Sequence, residues 1–510
     1  MPHSLTGLPV EILQITASHL TNSAIKTLRL TCKTLCATVQ LRLDRVFLSA
    51  NPLNIAVFLA VANSDTFRHG VKEIIWDDAR FVECLDGAPS HVRDPRTGCP
   101  AWFVDACKEN IEELRFRKGQ DIDRPDHVER AEQVAAELPA KICWQYYQNL
   151  FYQQEDVIIF NKDAEALRYG LPRFPALRRV TITPAAHGWL FAPLYKTPMI
   201  RAFPKGFNYP IPRSWPNVPS GEWKPEALPW KDEQVRQQYR GFSIVTRALA
   251  DCTDHQVSEF IVDVNYLGTG LNSRVFEHPC AEYEDLATIL RRPGFKRLDL
   301  DLLVGHQELI GWPCFNSGHL YRAIAEARAL EHISLHTNVE PDSRASFVPM
   351  RTLFPVDDWP ALRHFELSRL IVDQDDLVAF LDALPDTLRS VHLSFLYFPD
   401  NRGTWRGLLE DIRDKLDWRT TRDPSSRPRV TVGTATQYVQ FGHAVWVDEE
   451  VQTFLYADGP NPFVGNEEVV ISDLGVVRDS FEPAYERPNV SDYELAKLGC
   501  LKDTKEWVFA

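Results

Sequence analysis

The chain has 510 residues, 44% of them apolar and 25% charged, with a formal net charge of -14 and a pI near 5.6. That is the composition of a globular protein, long enough for two to four ordinary domains or for one short module on a larger repeat structure. The acidity argues against nucleic acid as a partner, which needs a basic face, and no segment reaches the roughly 20 apolar residues of a membrane helix, so no membrane contact is expected.

At the N-terminus Pro9 suits the first turn of a helix, and Glu11 favours the positive end of its dipole. The spacing predicts a helix over about residues 8–20, with Leu8, Ile12, Ile15 and Leu20 on one side and Leu13 and Ala17 extending the apolar surface onto a second. Thr21-Asn22-Ser23 offers a break and a new N-cap. A second helix would then carry Ile25, Leu28 and Leu30, and a third Leu35, Val39 and Leu43. Cys32 and Cys36 sit one turn apart in this apolar stripe, where buried free thiols are usual. Three short helices make a meagre core, so a spare apolar face should dock on a partner or on the rest of the chain.

The Leu8-Pro9-x-Glu11 opening, the apolar helix behind it and the Cys32-Lys33 pair in a leucine-rich stretch resemble the F-box. The resemblance covers residues 4–48. Residues 71–77, 454–456 and 461–463 are similar to segments of a large set of fungal F-box proteins. It implies a three-helix module over residues 1–50 that docks the Skp-type adaptor of a cullin-RING ubiquitin ligase. Leu8, Pro9, Ile12, Leu13, Leu20, Leu28, Cys32, Lys33 and Leu35 are then the adaptor-binding positions. Where many members carry Trp after Cys-Lys, this chain has Thr34-Leu35-Cys36. That departure keeps a second reading open, a scaffold that uses the fold outside any ligase.

Behind the module one pattern recurs: apolar, two residues, apolar, one residue, apolar. It starts at Val71, Ile111, Leu177, Val257, Phe295, Leu330, Leu362 and Leu388, and the last five starts are 38, 35, 32 and 26 residues apart. Those gaps suit one strand plus one helix. Helical spacing does appear in them, at Tyr283, Leu286, Ala287 and Leu290, at Leu377, Phe380, Leu381 and Leu384, and at Trp405, Leu408, Leu409, Ile412 and Leu416. The expected fold is α/β: strand-helix units over residues 51–434 stacked into a curved, mostly parallel sheet with helices outside. It resembles an irregular leucine-rich-repeat solenoid. A non-repetitive α/β domain with generic buried strands is the alternative.

Residues 184–230 interrupt the series with ten prolines up to Pro229 and with Trp189, Trp215, Trp223 and Trp230. So many prolines forbid regular structure, yet the aromatics allow packing. This segment should cover an edge or end of the sheet, or form an aromatic lip of a substrate groove. Residues 435–510 read as a C-terminal cap followed by a Pro- and acid-rich, partly disordered tail. The ten cysteines form no CxxC pair. With no signal-peptide pattern, this predicts a reducing compartment, cytoplasmic or nuclear.

In each strand the apolar positions point into the core, so the residues between them face the opposite, open side. Glu259, Asp263, Asp299, Asp301, His332, His336, His364, Glu366 and His392 are the substrate-facing candidates. If the units are consecutive neighbours, His332 meets His364 and Glu366 meets His392. Solvated polar residues on an exposed face are the plain reading, and a surface for a basic or polar segment of a protein substrate the functional one. No catalytic residues, metal site or cofactor are expected, since no zinc-like ligand spacing, phosphate-binding Gly-rich loop or nucleophile elbow is present.

Overall fold

A computed structural model describes residues 5–84, 91–120, 127–216, 225–265, 267–339, 346–434, 443–464, 469–470, 476–479 and 482–488. Three helices open the chain, α1 (Val10–Ser18), α2 (Asn22–Thr31) and α3 (Lys33–Thr38). Leu13, Ala17, Ile25, Leu35 and Val39 close a small core of their own, separate from the main one. Thr21 caps α2, its Oγ1 accepting from the Ala24 N–H at 3.2 Å. Cys32 does the same for α3, with Sγ 3.5 Å from the Leu35 N–H. That turns Cys36 outward, and it is exposed rather than buried.

The module ends before Val46. Strand β1 (Arg45–Ser49) pairs in parallel with β2 (Glu73–Asp77), and Val46 and Leu48 enter the main core. A boundary at residue 50 would cut the first strand from its sheet. Leu43, Val46 and Leu48 carry the same apolar spacing as the later units, which the resemblance to a helical module hid.

The sheet grows in chain order. β3 (Arg179–Thr183), β4 (Glu259–Val262), β6 (Arg297–Leu303), β7 (His332–Thr337), β8 (His364–Ser368), β9 (Ser390–Ser394) and β10 (Arg429–Thr434) follow β2 in parallel, and the short β5 (Leu271–Asn272) pairs on β6. β11 (His443–Trp446), β14 (Val476–Asp479) and β15 (Glu482–Pro488) close it in antiparallel order, while β12 (Phe463–Val464) and β13 (Val469–Val470) form a separate ribbon. The result is a mixed α/β fold on a mostly parallel sheet. The residues ahead of β15 that read as tail include paired strand, and 489–510 lie outside the described residues.

One side of the sheet holds the core. Ile74, Trp76, Val180, Ile182, Leu298, Leu300, Phe365, Leu367, Val391 and Leu393 pack in a single cluster with the apolar stripes of the helices Ala281–Leu290, Gln374–Asp382 and Trp405–Lys415. A parallel pair needs a crossover, and these helices supply it. The Ile111 unit is the exception: it lies in the helix Ala101–Gln120. There Phe103 and Cys107 are buried one turn apart, with Asn110 and Leu114 half-buried beyond them, so helical periodicity wins over the strand-like triplet. β10 was not foreseen because Arg427 occupies its first apolar position.

Part of the Pro/Trp segment packs on the open side of the edge strand β1. Tyr195 packs on Phe47 with ring centroids 6.1 Å apart and lies under Arg45. Phe207 and Tyr209 join Phe81, Phe103 and Tyr147 in a second core. Trp215 and Trp230 are buried in the main core, so neither forms a lip; Trp223 lies outside the described residues. Beneath the segment, burial pushes the Asp77 carboxyl up to about 8; the Ala79 N–H bond and Arg213 oppose this, and Asp78 adds to it. Tyr209 is the other titratable group facing it. Between pH 4 and 8 the folded chain thus holds a proton that the unfolded chain has released, so stability falls as pH rises through that window. Asp77→Asn, which keeps an oxygen for the Ala79 N–H, should flatten this slope. Urea titrations should show its advantage over wild type growing steadily from pH 4 to pH 8.

Candidate functional site

The register lines the open face into three rows. Across β6, β7, β8 and β9 they read Arg297, His332, His364, Ser390; then Asp299, Ser334, Glu366, His392; then Asp301, His336, Ser368, Ser394. His332 does meet His364, and Glu366 does meet His392. The first row continues back through Glu259, Arg179, Glu73 and Arg45, with ion pairs Arg45–Glu73 at 2.7 Å and Arg179–Glu259 at 2.6 Å. Glu259 is therefore engaged inside the sheet face.

The rows are wired together. Glu366 Oε1 lies 3.0 Å from His336 Nε2 and 2.9 Å from His392 Nδ1, and His336 Nδ1 lies 2.8 Å from Asp301 Oδ1. Asp301 Oδ2 also accepts the Val264 N–H at 2.7 Å. His364 shares a 2.6 Å hydrogen bond with Ser390 Oγ through Nδ1, while its Nε2 faces Glu366 Oε2 at 3.4 Å. The His332 and His364 rings stack at 4.0 Å and 13°. Arg297 grips Asp299 at 2.5 Å, and His392 meets Trp446 edge to face at 4.7 Å.

Electrostatics follow from this wiring. Burial opposes the charge on His336, but Asp301 and Glu366 on either side overturn it and hold the imidazolium well above the usual histidine range. Burial likewise disfavours an ionised Glu366, yet His392 and His336 keep its carboxyl well below the ordinary range. His332 goes the other way, because burial outweighs its neighbour Asp299 and lowers it. Asp263, just past β4, is pushed up to about 6 by burial and by Asp301, against its bond from the Asn265 N–H.

These side chains are only 10–21% exposed, from Asp301 to His364. The plain expectation of solvated polar residues therefore fails for this group: it is a half-buried charged network. An opening of about 20 Å³ beside it, between Asp301, His336, Ser368 and Arg369, has room for one water.

On the helical module the expected adaptor positions divide. Leu13 and Leu35 are 3% and 4% exposed and form its core. Leu8, Leu20, Leu28 and Cys32 are half-buried against that core, and Pro9, Ile12 and Lys33 are exposed. Val10, Ile15 and Leu30 are apolar side chains left in solvent that the adaptor set omitted, Leu30 at 88% exposure. The amphipathic reading had grouped Ile15 with Leu8, Ile12 and Leu20 on one apolar side and Leu30 with Ile25 and Leu28 on the second helix, without telling core from spare face. Only the observed helix packing tells the two faces apart.

Among the described residues no helix is long and apolar enough to cross a membrane, and none of the nine described cysteines is in a disulfide. No protein-family model matches the chain. No curated protein matches it.

Proposed function

We propose that this chain is the substrate-recognition subunit of a cullin-RING ubiquitin ligase. Residues 4–48 hold the Skp-type adaptor, and the polar face of the sheet holds a target protein. The observation that carries the reading is a three-helix module with a core of its own that leaves Val10, Ile12, Ile15 and Leu30 in solvent, joined to a sequence that resembles the F-box. Four large apolar side chains exposed on so small a module give it apolar surface to offer a partner. The mechanism is proximity: the target is held where a recruited conjugating enzyme reaches its lysines, so the chain itself performs no catalytic step and needs no cofactor. A net charge of -14 suits a basic or polar target segment. Thr34-Leu35-Cys36 in place of the usual Trp favours the second reading, a scaffold outside any ligase.

Affinity purification from cells tests the proposal. Wild type should retain adaptor and cullin together, and a Leu8→Ala, Pro9→Ala double variant should lose both. Adaptor without cullin supports the scaffold, and equal, negligible adaptor in both samples ends the ligase reading. Targets should appear in proximity labelling under proteasome inhibition, compared with a deletion of the module. That deletion must stop before Arg45, because β1 belongs to the sheet.

A further inference from the structure

We propose that His332, His364 and Glu366 bind one divalent ion of the zinc class on the open face of the sheet, with a further coordination position directed away from the strands. This does not depend on the ligase reading. One ligand atom from each of the three residues lies within 4.8 Å of the other two. A tetrahedral ion with bonds of about 2.0–2.2 Å needs those atoms about 3.3–3.5 Å apart, so side-chain shifts on the order of 1 Å complete the site. The His364–Glu366 pair is already there, at 3.4 Å.

The surroundings are arranged as at a metal centre. Ser390 Oγ engages His364 Nδ1 at 2.6 Å, which leaves Nε2 to aim at Glu366 Oε2. Metal-binding histidines commonly have their second nitrogen fixed in this way. Glu366 is oriented too: Oε1 takes His336 and His392 at 3.0 and 2.9 Å, so Oε2 remains for the ion. Nε2 of His332 is enclosed and lies 3.2 Å from Asp299 Oδ1. Stacking at 4.0 Å holds the two imidazoles of β7 and β8 side by side.

Two imidazole nitrogens and one carboxylate oxygen favour zinc or a neighbouring transition ion over magnesium or calcium, which take oxygen ligands. The ligands are hidden from motif searching, since His332 and His364 are 32 residues apart and meet only through strand register. An ion here would tie β7 to β8. It would also offer its remaining position to an imidazole or carboxylate of whatever lies on the face.

The test uses the full chain without an affinity tag, stripped with a chelator and titrated with Co²⁺. Visible d–d absorption should saturate at one ion per chain, and Zn²⁺ should displace it. Glu366→Gln and His364→Asn should weaken binding at least about tenfold, while His278→Ala at an exposed position should bind as wild type does. In the wild type, Zn²⁺ should also protect His332 and His364 from carbethoxylation mapped by mass spectrometry, which locates the site even if a variant fails to fold. Absence of saturable binding, or saturation that leaves both histidines reactive, overturns the proposal.

Discussion

Glu366→Leu is expected to destabilise the protein by about 3–5 kcal/mol, the usual cost of removing one partner from an enclosed charge network. Two histidines meet one oxygen of this carboxylate, His336 at 3.0 Å and His392 at 2.9 Å, and a third faces the other oxygen at 3.4 Å. Without it the His336 imidazolium has Asp301 at 2.8 Å as counter-charge and the neutral Ser334 Oγ at 3.1 Å. With His336 20% and Glu366 14% exposed, bulk water makes up little of the loss. Glu366→Gln keeps an acceptor and should cost less, about 1–2 kcal/mol. In a His336→Leu background, Glu366→Leu should cost markedly less than it does alone, because the charge it would orphan is gone. Chelator-treated protein in urea measures all three. A single variant within about 0.5 kcal/mol of wild type would mean that the network is decoration.

The second large effect concerns binding. Ile15→Asp and Leu30→Asp should each cost at least about 2 kcal/mol of adaptor affinity, or about 30-fold, if these side chains are buried anchors in the complex. At 58% and 88% exposure neither supports the fold, so thermal stability should shift by no more than about 0.5 kcal/mol. Leu13→Asp should behave differently. It places a carboxylate in the core of the module and should unfold α1–α3, losing adaptor binding together with helical signal. Circular dichroism beside a binding titration separates an anchor from a core residue, a distinction that the sequence pattern alone left blurred.

How much was legible depended on the kind of signal. Seven of the eight apolar triplets lie on strands because a parallel strand buried on one face repeats every second residue, and residues such as Phe365 and Leu367 obey that rule locally. The Ile111 triplet fell to the longer-range helical periodicity around Phe103 and Cys107. The meeting of His332 with His364 and of Glu366 with His392 could be read in advance, since unit order fixes parallel register. The closeness of three histidines and two acids to one another could not, because it depends on rotamers and on how far the face is shielded. Tyr195 over Phe47, and Trp215 donating to Asp78 at 2.8 Å, likewise join residues too far apart in sequence for any periodicity to link.

Adaptor docking through residues 4–48 is the step on which the proposed function rests. The most direct measurement mixes the purified full chain with purified Skp-type adaptor and follows it by size-exclusion chromatography with light scattering and by titration calorimetry. A one-to-one complex is expected, which the Ile15→Asp, Leu30→Asp double variant fails to form while keeping its helical signal and melting behaviour. Separate elution of wild type and adaptor at micromolar concentration, or equal affinity in the double variant, would contradict it.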